Sequence, residues 1–159
     1  MKGRDLFDAS LFKDPASTAL FYTFMGELKD IVSKASLTPT HHFLANLNNR
    51  NQLLRCYTQN IDCLEARLNL PCDLNDKRGA RIVQLHGDLD HVICTFCKAL
   101  FEFNNTWSEI FKKGKCPPCP ACVDLDNIRT ASGKRPLSIG TLRPNIVLYN
   151  EFHHKGKRN

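Results

Sequence analysis

No apolar run in the 159 residues approaches the roughly 18 that cross a bilayer. The opening stretch, residues 1–10, alternates charged and apolar types and lacks the continuous apolar segment of a secretory signal. There is no arginine-rich tract, no internal repeat and no long low-complexity region. These absences set the expectation of a soluble chain, one domain in length, working where thiols stay reduced. What the sequence does hold is cysteine, eight in all. In a reducing compartment, clustered cysteines serve as metal ligands more often than as disulfides. The net charge of +6 fits an acidic or nucleic-acid-bearing partner and, equally, an ordinary solvated basic surface.

Apolar periodicity organises the chain. Phe21, Phe24, Met25, Leu28, Ile31 and Val32 recur at three- and four-residue steps, which predicts a helix within residues 1–36, with Ser17 or Thr18 as its cap. Pro39 interrupts the pattern, and Thr40 is expected to cap a second helix over 41–48. Residues 53–58, 81–85 and 145–149 read as short buried strands, and 65–70 as a short helix. Strands separated by helical segments predict an α/β fold with a partial, Rossmann-like parallel sheet. Residues 92–140 differ in character: they hold five of the eight cysteines with several prolines and glycines, and read as a small inserted module.

Within that module Cys94-x-x-Cys97 is followed by Cys119-x-x-Cys122. Paired knuckles of this spacing present four thiolates to one tetrahedral zinc ion, a closed and therefore structural site. Cys116-Pro-Pro-Cys119 is a third such pair, so spacing alone leaves Cys116 and Cys122 open. Metal binding would supply folding free energy that so small a module lacks. Cys56, Cys63 and Cys72 read as small buried hydrophobes. His91 is a weaker candidate ligand than any of the four cysteines.

Two polar motifs fall at strand ends: Gln59-Asn60-Ile61-Asp62 after the first strand and His86-Gly87-Asp88 after the second. Ligands in open α/β sheets bind beyond the carboxyl ends of strands. Amides, a carboxylate and an imidazole there suit a ribose and a proton transfer. They equally suit a helix cap and a turn.

The order Tyr57-Thr58-Gln59-Asn60-Ile61-Asp62, Gln84-Leu85-His86-Gly87, two Cys-x-x-Cys pairs, and Arg143-Pro144-Asn145-Ile146-Val147 resembles the sirtuins, the NAD-dependent protein deacylases. The likeness covers most of the chain. Gly3-Arg4-Asp5-Leu6-Phe7, Pro39-Thr40-His41, Gly133-Lys134-Arg135 and residues 142–149 are similar to the fungal nuclear branch that deacetylates histone H3. That branch carries Cys-Pro-x-Cys as its second knuckle, which favours Cys119 and Cys122 as ligands, followed by a long basic loop.

The resemblance implies that His86 is the general base on a ribose hydroxyl, and that Gln59, Asn60 and Asp62 line the nicotinamide and ribose pocket. Val147, Tyr149 and Glu151 would border the channel for an acetylated protein substrate, a histone tail or core lysine, in the nucleus. The products it implies are deacetylated lysine, nicotinamide and O-acetyl-ADP-ribose. It requires neither a membrane nor direct nucleic-acid binding. The alternative is a non-catalytic, zinc-stabilised module that binds chromatin or nucleic acid, using the basic stretch 129–143. Against the family pattern, the 159 residues lack a glycine-rich segment with its Pro-Asp-Phe-Arg stretch, and a later Gly-Thr-Ser segment. The expectation is that the isolated chain binds NAD poorly. Asn150 stands where the family has glycine, with the expectation that its side chain crowds the substrate channel.

Overall fold

The structure is a computed structural model that describes residues 3–70, 72, 79 and 81–151. Two 3-10 turns, Gly3–Phe7 and Ala9–Lys13, lead into helix α1, Pro15–Lys34. Its cap is Asp14, whose carboxylate accepts from the Ser17 N–H at 2.8 Å, and not Ser17 or Thr18. Pro15 takes the first helical position, where its missing N–H costs nothing, so the cap falls one residue earlier. The same holds for α2, Pro39–Asn49, which Thr38 caps in place of Thr40. The His41 ring completes that cap: its Nδ1 accepts from the Thr38 N–H at 3.1 Å.

Strands β1 (Cys56–Thr58) and β2 (Ile82–Gln84) pair in parallel, Tyr57 opposite Val83. This is the predicted parallel sheet, and it carries both polar motifs at its strand ends. Between them a 3-10 turn, Leu64–Leu68, replaces the expected helix over 65–70. From it Arg67 reaches back to donate to the Val32 and Ala35 carbonyls, 2.7 Å each. These carbonyls lie at the C-terminal end of α1, where helix carbonyls run out of intrahelical donors; that of Val32 also accepts from the Ala35 N–H at 3.1 Å.

The third predicted strand does not join that sheet. It runs as β5, Leu142–Ile146, antiparallel to β3, Gly87–Cys94, which also pairs with β4, Leu100–Glu102. A register shift between Asp88 and Val92 lets Leu89 and Val92 both bury their side chains, so β3 loses the strict alternation by which strands are recognised. Gly87 has a φ of 81°, and a Cβ there would collide with the Asn145 carbonyl of β5.

Helix α3, Asn105–Lys112, packs on α1, and α4, Pro120–Ala131, occupies the segment read as a loop after the second knuckle. One cluster of buried residues unites these parts: Phe21, Tyr22 and Met25 of α1, Leu89 and Val92 of β3, Phe103 and Phe111 around α3, and Leu142 and Ile146 of β5. The Tyr22 hydroxyl donates to the Leu142 carbonyl at 3.1 Å inside it. Cys94, Cys119 and Cys122 belong to the same cluster. No helix among the described residues is long and apolar enough to cross a membrane.

Candidate functional site

The four cysteines favoured above converge. Cys94 ends β3, Cys97 lies in the turn to β4, Cys119 precedes α4, and Cys122 sits in the first turn of α4. Their sulfurs all lie within 4.8 Å of one another. Cys94 Sγ stands 3.8 Å from Cys122 Sγ, and Cys97 Sγ 3.7 Å from Cys119 Sγ. A tetrahedron with Zn–S arms of about 2.3 Å has edges of about 3.8 Å, so donor type and spacing both fit zinc. The N–H groups of Phe96 and Cys97 point at Cys94 Sγ, at 3.3 and 3.4 Å. Burial raises the Cys94 thiol, but those two donors, together with hydrogen bonds from the Cys97 and Cys119 side chains, outweigh it and hold it at about 7. Cys119, where burial dominates, is pushed up to about 12. A cation resolves that conflict by favouring all four thiolates together. Cys116 is exposed and outside the cluster. Of the three cysteines expected to be buried, Cys63 is, while Cys56 and Cys72 are only half-buried; burial pushes the Cys63 and Cys72 thiols up to about 12 and 11.

Away from the cysteines, a cleft of about 840 Å³ opens between α1, the loop after β1 and the segment after β5. Gln59, Asn60, Asp62, His86, Val147 and Tyr149 all line it. Local geometry explains their placement. Thr58 Oγ1 accepts from the Asn60 N–H at 3.0 Å, turning the chain sharply at the end of β1. One Asp62 oxygen caps the Leu64 N–H at 3.2 Å, so Asp62 serves the turn as well as the cleft. The His86 carbonyl accepts from the Val147 N–H at 2.9 Å, which ties the imidazole's backbone to the segment after β5.

Glu151 is not on the cleft wall. Its carboxylate pairs with Arg143 at 2.7 Å and accepts from the Leu148 N–H at 3.3 Å, closing the 148–151 turn. The opposite wall comes from Phe24, Leu28 and Val32, one row of α1 at four-residue spacing. They were legible as apolar, but nothing in the periodicity separated a cleft wall from a core face. A few polar groups set in a largely apolar concavity of this size suit a bound cofactor and substrate.

A family model described as "Sir2 family" matches residues 3–157. The chain is 45% identical over 163 residues to the "NAD-dependent histone deacetylase HST3" of Saccharomyces cerevisiae, covering 95% of this chain and 36% of that protein. It is 42% identical to the protein of the same name from Candida albicans, covering 96% of this chain and 34% of that one. The chain thus spans about a third of the length of these curated relatives. Among solved structures, a "Sir2 homologue" mutant in complex with ADP-ribose superposes with a TM-score of 0.68 at 24% identity, covering 98% of this chain and 50% of that one.

Proposed function

Because the chain belongs to the Sir2 family, we propose that its cleft is the acyl-transfer site of a NAD-dependent deacetylase acting on an acetylated histone in the nucleus. The observation that carries this reading is convergence: Gln59, Asn60, Asp62 and His86, drawn from two loops, share one cleft wall with Val147 and Tyr149. A free-standing zinc ribbon has no need of that constellation. NAD, when bound, supplies the ribose carbon that the acyl oxygen attacks and the nicotinamide that departs.

The chain's own residues do the rest. His86 accepts the proton of a ribose hydroxyl. Gln59 and Asn60 would offer amide donors and acceptors to the nicotinamide amide, and the Asp62 carboxylate would accept from a ribose hydroxyl. Phe24, Leu28 and Val32 keep water from the reacting atoms. Val147 and Tyr149 border the mouth by which an extended acyl-lysine peptide would reach the cleft, and Glu151 holds that lip through Arg143. Residues 1–159 form part of one deacetylase domain, with 92–140 as its zinc-binding insert held by Cys94, Cys97, Cys119 and Cys122.

The test is product analysis in the protein carrying this chain. With NAD and an acetylated histone peptide, deacetylated peptide, nicotinamide and O-acetyl-ADP-ribose should form in equal amounts. Nicotinamide release at the same rate with an unacetylated peptide would refute the reading.

A further inference from the structure

Asn150 has a φ of 61°, in the left-handed region that favours glycine and that asparagine tolerates better than most side chains. It is the third residue of the 148–151 turn, in which the Glu151 N–H donates to the Leu148 carbonyl at 3.2 Å. From there its carboxamide Nδ2 donates to Asp8 Oδ2 at 2.6 Å, across 142 residues of sequence. The other oxygen of Asp8 accepts from the Ser10 N–H at 2.9 Å and caps the Ala9–Lys13 turn. Two main-chain bonds run alongside: Ala9 N–H to the Tyr149 carbonyl at 2.9 Å, and Tyr149 N–H to the Phe7 carbonyl at 2.7 Å. Phe7, Tyr149 and Asn150 all line the cleft. A charge-assisted side-chain bond therefore joins two lips of the cleft that belong to opposite ends of the described chain.

We propose that Asn150 is a positioning residue for the acyl peptide. By clasping Asp8 it holds the 148–151 turn against the Phe7 segment, so the cleft lip that the peptide meets is ordered before the peptide arrives. Binding against a lip already ordered avoids the entropy cost of fixing it. Glycine at this position would keep the turn and lose the clasp. The inference rests on the function proposed above.

In the protein carrying this chain, the test compares the wild type, Asn150→Asp, and the Asp8→Asn/Asn150→Asp double variant. The single substitution keeps size and left-handed tolerance but sets two carboxylates face to face. The double variant restores one donor and one acceptor in reversed order and leaves position 8 able to cap. In Asn150→Asp, hydrogen exchange at the Ala9 and Tyr149 amides should quicken about tenfold. The KM for an acetylated peptide should rise about three- to tenfold with kcat held within about twofold, because only ordering is lost. The double variant should return both towards wild type. Unchanged exchange, faster exchange with an unchanged KM, or no rescue would each overturn the proposal. No turnover even in the wild type would refute the function and this inference with it, while the exchange measurement still reports separately whether the clasp forms.

Discussion

A Cβ at Gly140 would stand 2.5 Å from Cys94 Sγ and 2.6 Å from Phe96 Cβ, closer than packed atoms approach. The Gly140 carbonyl also accepts from the Cys119 N–H at 2.8 Å, so this one residue presses on both halves of the metal centre. Gly140→Ala should therefore weaken zinc binding about tenfold or more in a chelator competition, as losses beside a metal's ligands commonly do. Cys116 and Cys122 give the companion case. Cys116→Ala should retain one equivalent of zinc and Cys122→Ala should lose it; the reverse pattern would move the ligand set upstream.

Between elements, α1 and α3 approach closely. A Cβ at Gly26 would lie 2.9 Å from both the Lys112 nitrogen and the Ser108 carbonyl oxygen. Ser108 Oγ donates to the Gly26 carbonyl at 3.2 Å, and Lys112 pairs with Asp30 at the rim. The hydrogen bond from Lys112 holds the Asp30 carboxyl below its ordinary 3.8. A carboxyl lowered on folding stabilises the fold above its unfolded value, and that contribution fades as pH falls through the folded value. Lys112→Met should lower the urea midpoint at pH 7, with the gap to wild type narrowing as pH falls below about 4. The effect will be small because the pair is partly exposed; a gap that holds constant into acid would contradict it.

The same elements mark what was legible in the sequence. β1 and β2 were, because each is a short apolar run ending in polar residues, and so were the cysteine pairs, because thiolate geometry imposes their spacing. β3 was not: its register shift turns Asp88, Asp90 and His91 into an apparently polar loop. α4 was missed because Pro120 and the knuckle disguise its start, and Leu125 and Ile128 lie on its exposed side. β5 was expected three residues late, over 145–149 in place of Leu142–Ile146, and was misplaced in the sheet, since a strand's partner is set by the chain it packs against and not by its own pattern.

For the molecule as a whole, metal and cleft share one core. Cys94, Cys119 and Cys122 pack in the cluster that also contains Leu89, Ile146 and Leu148, and these last three line the cleft. Chelating the zinc should therefore not melt an isolated knuckle. It should lower amide protection along β3, β5 and α1 together, in one transition seen by hydrogen exchange. Loss of protection confined to residues 92–140 would mean that the module folds apart from the cleft.

The proposed role of His86 as the proton acceptor in this cleft stands or falls on its removal. In the protein carrying this chain, His86→Ala should cut NAD-dependent deacetylation of a histone peptide by about 10²-fold or more, the usual contribution of a positioned base. Zinc content and affinity for the acetylated peptide should match the wild type. Turnover within a few-fold of wild type, with zinc still bound, would rule out His86 as the base.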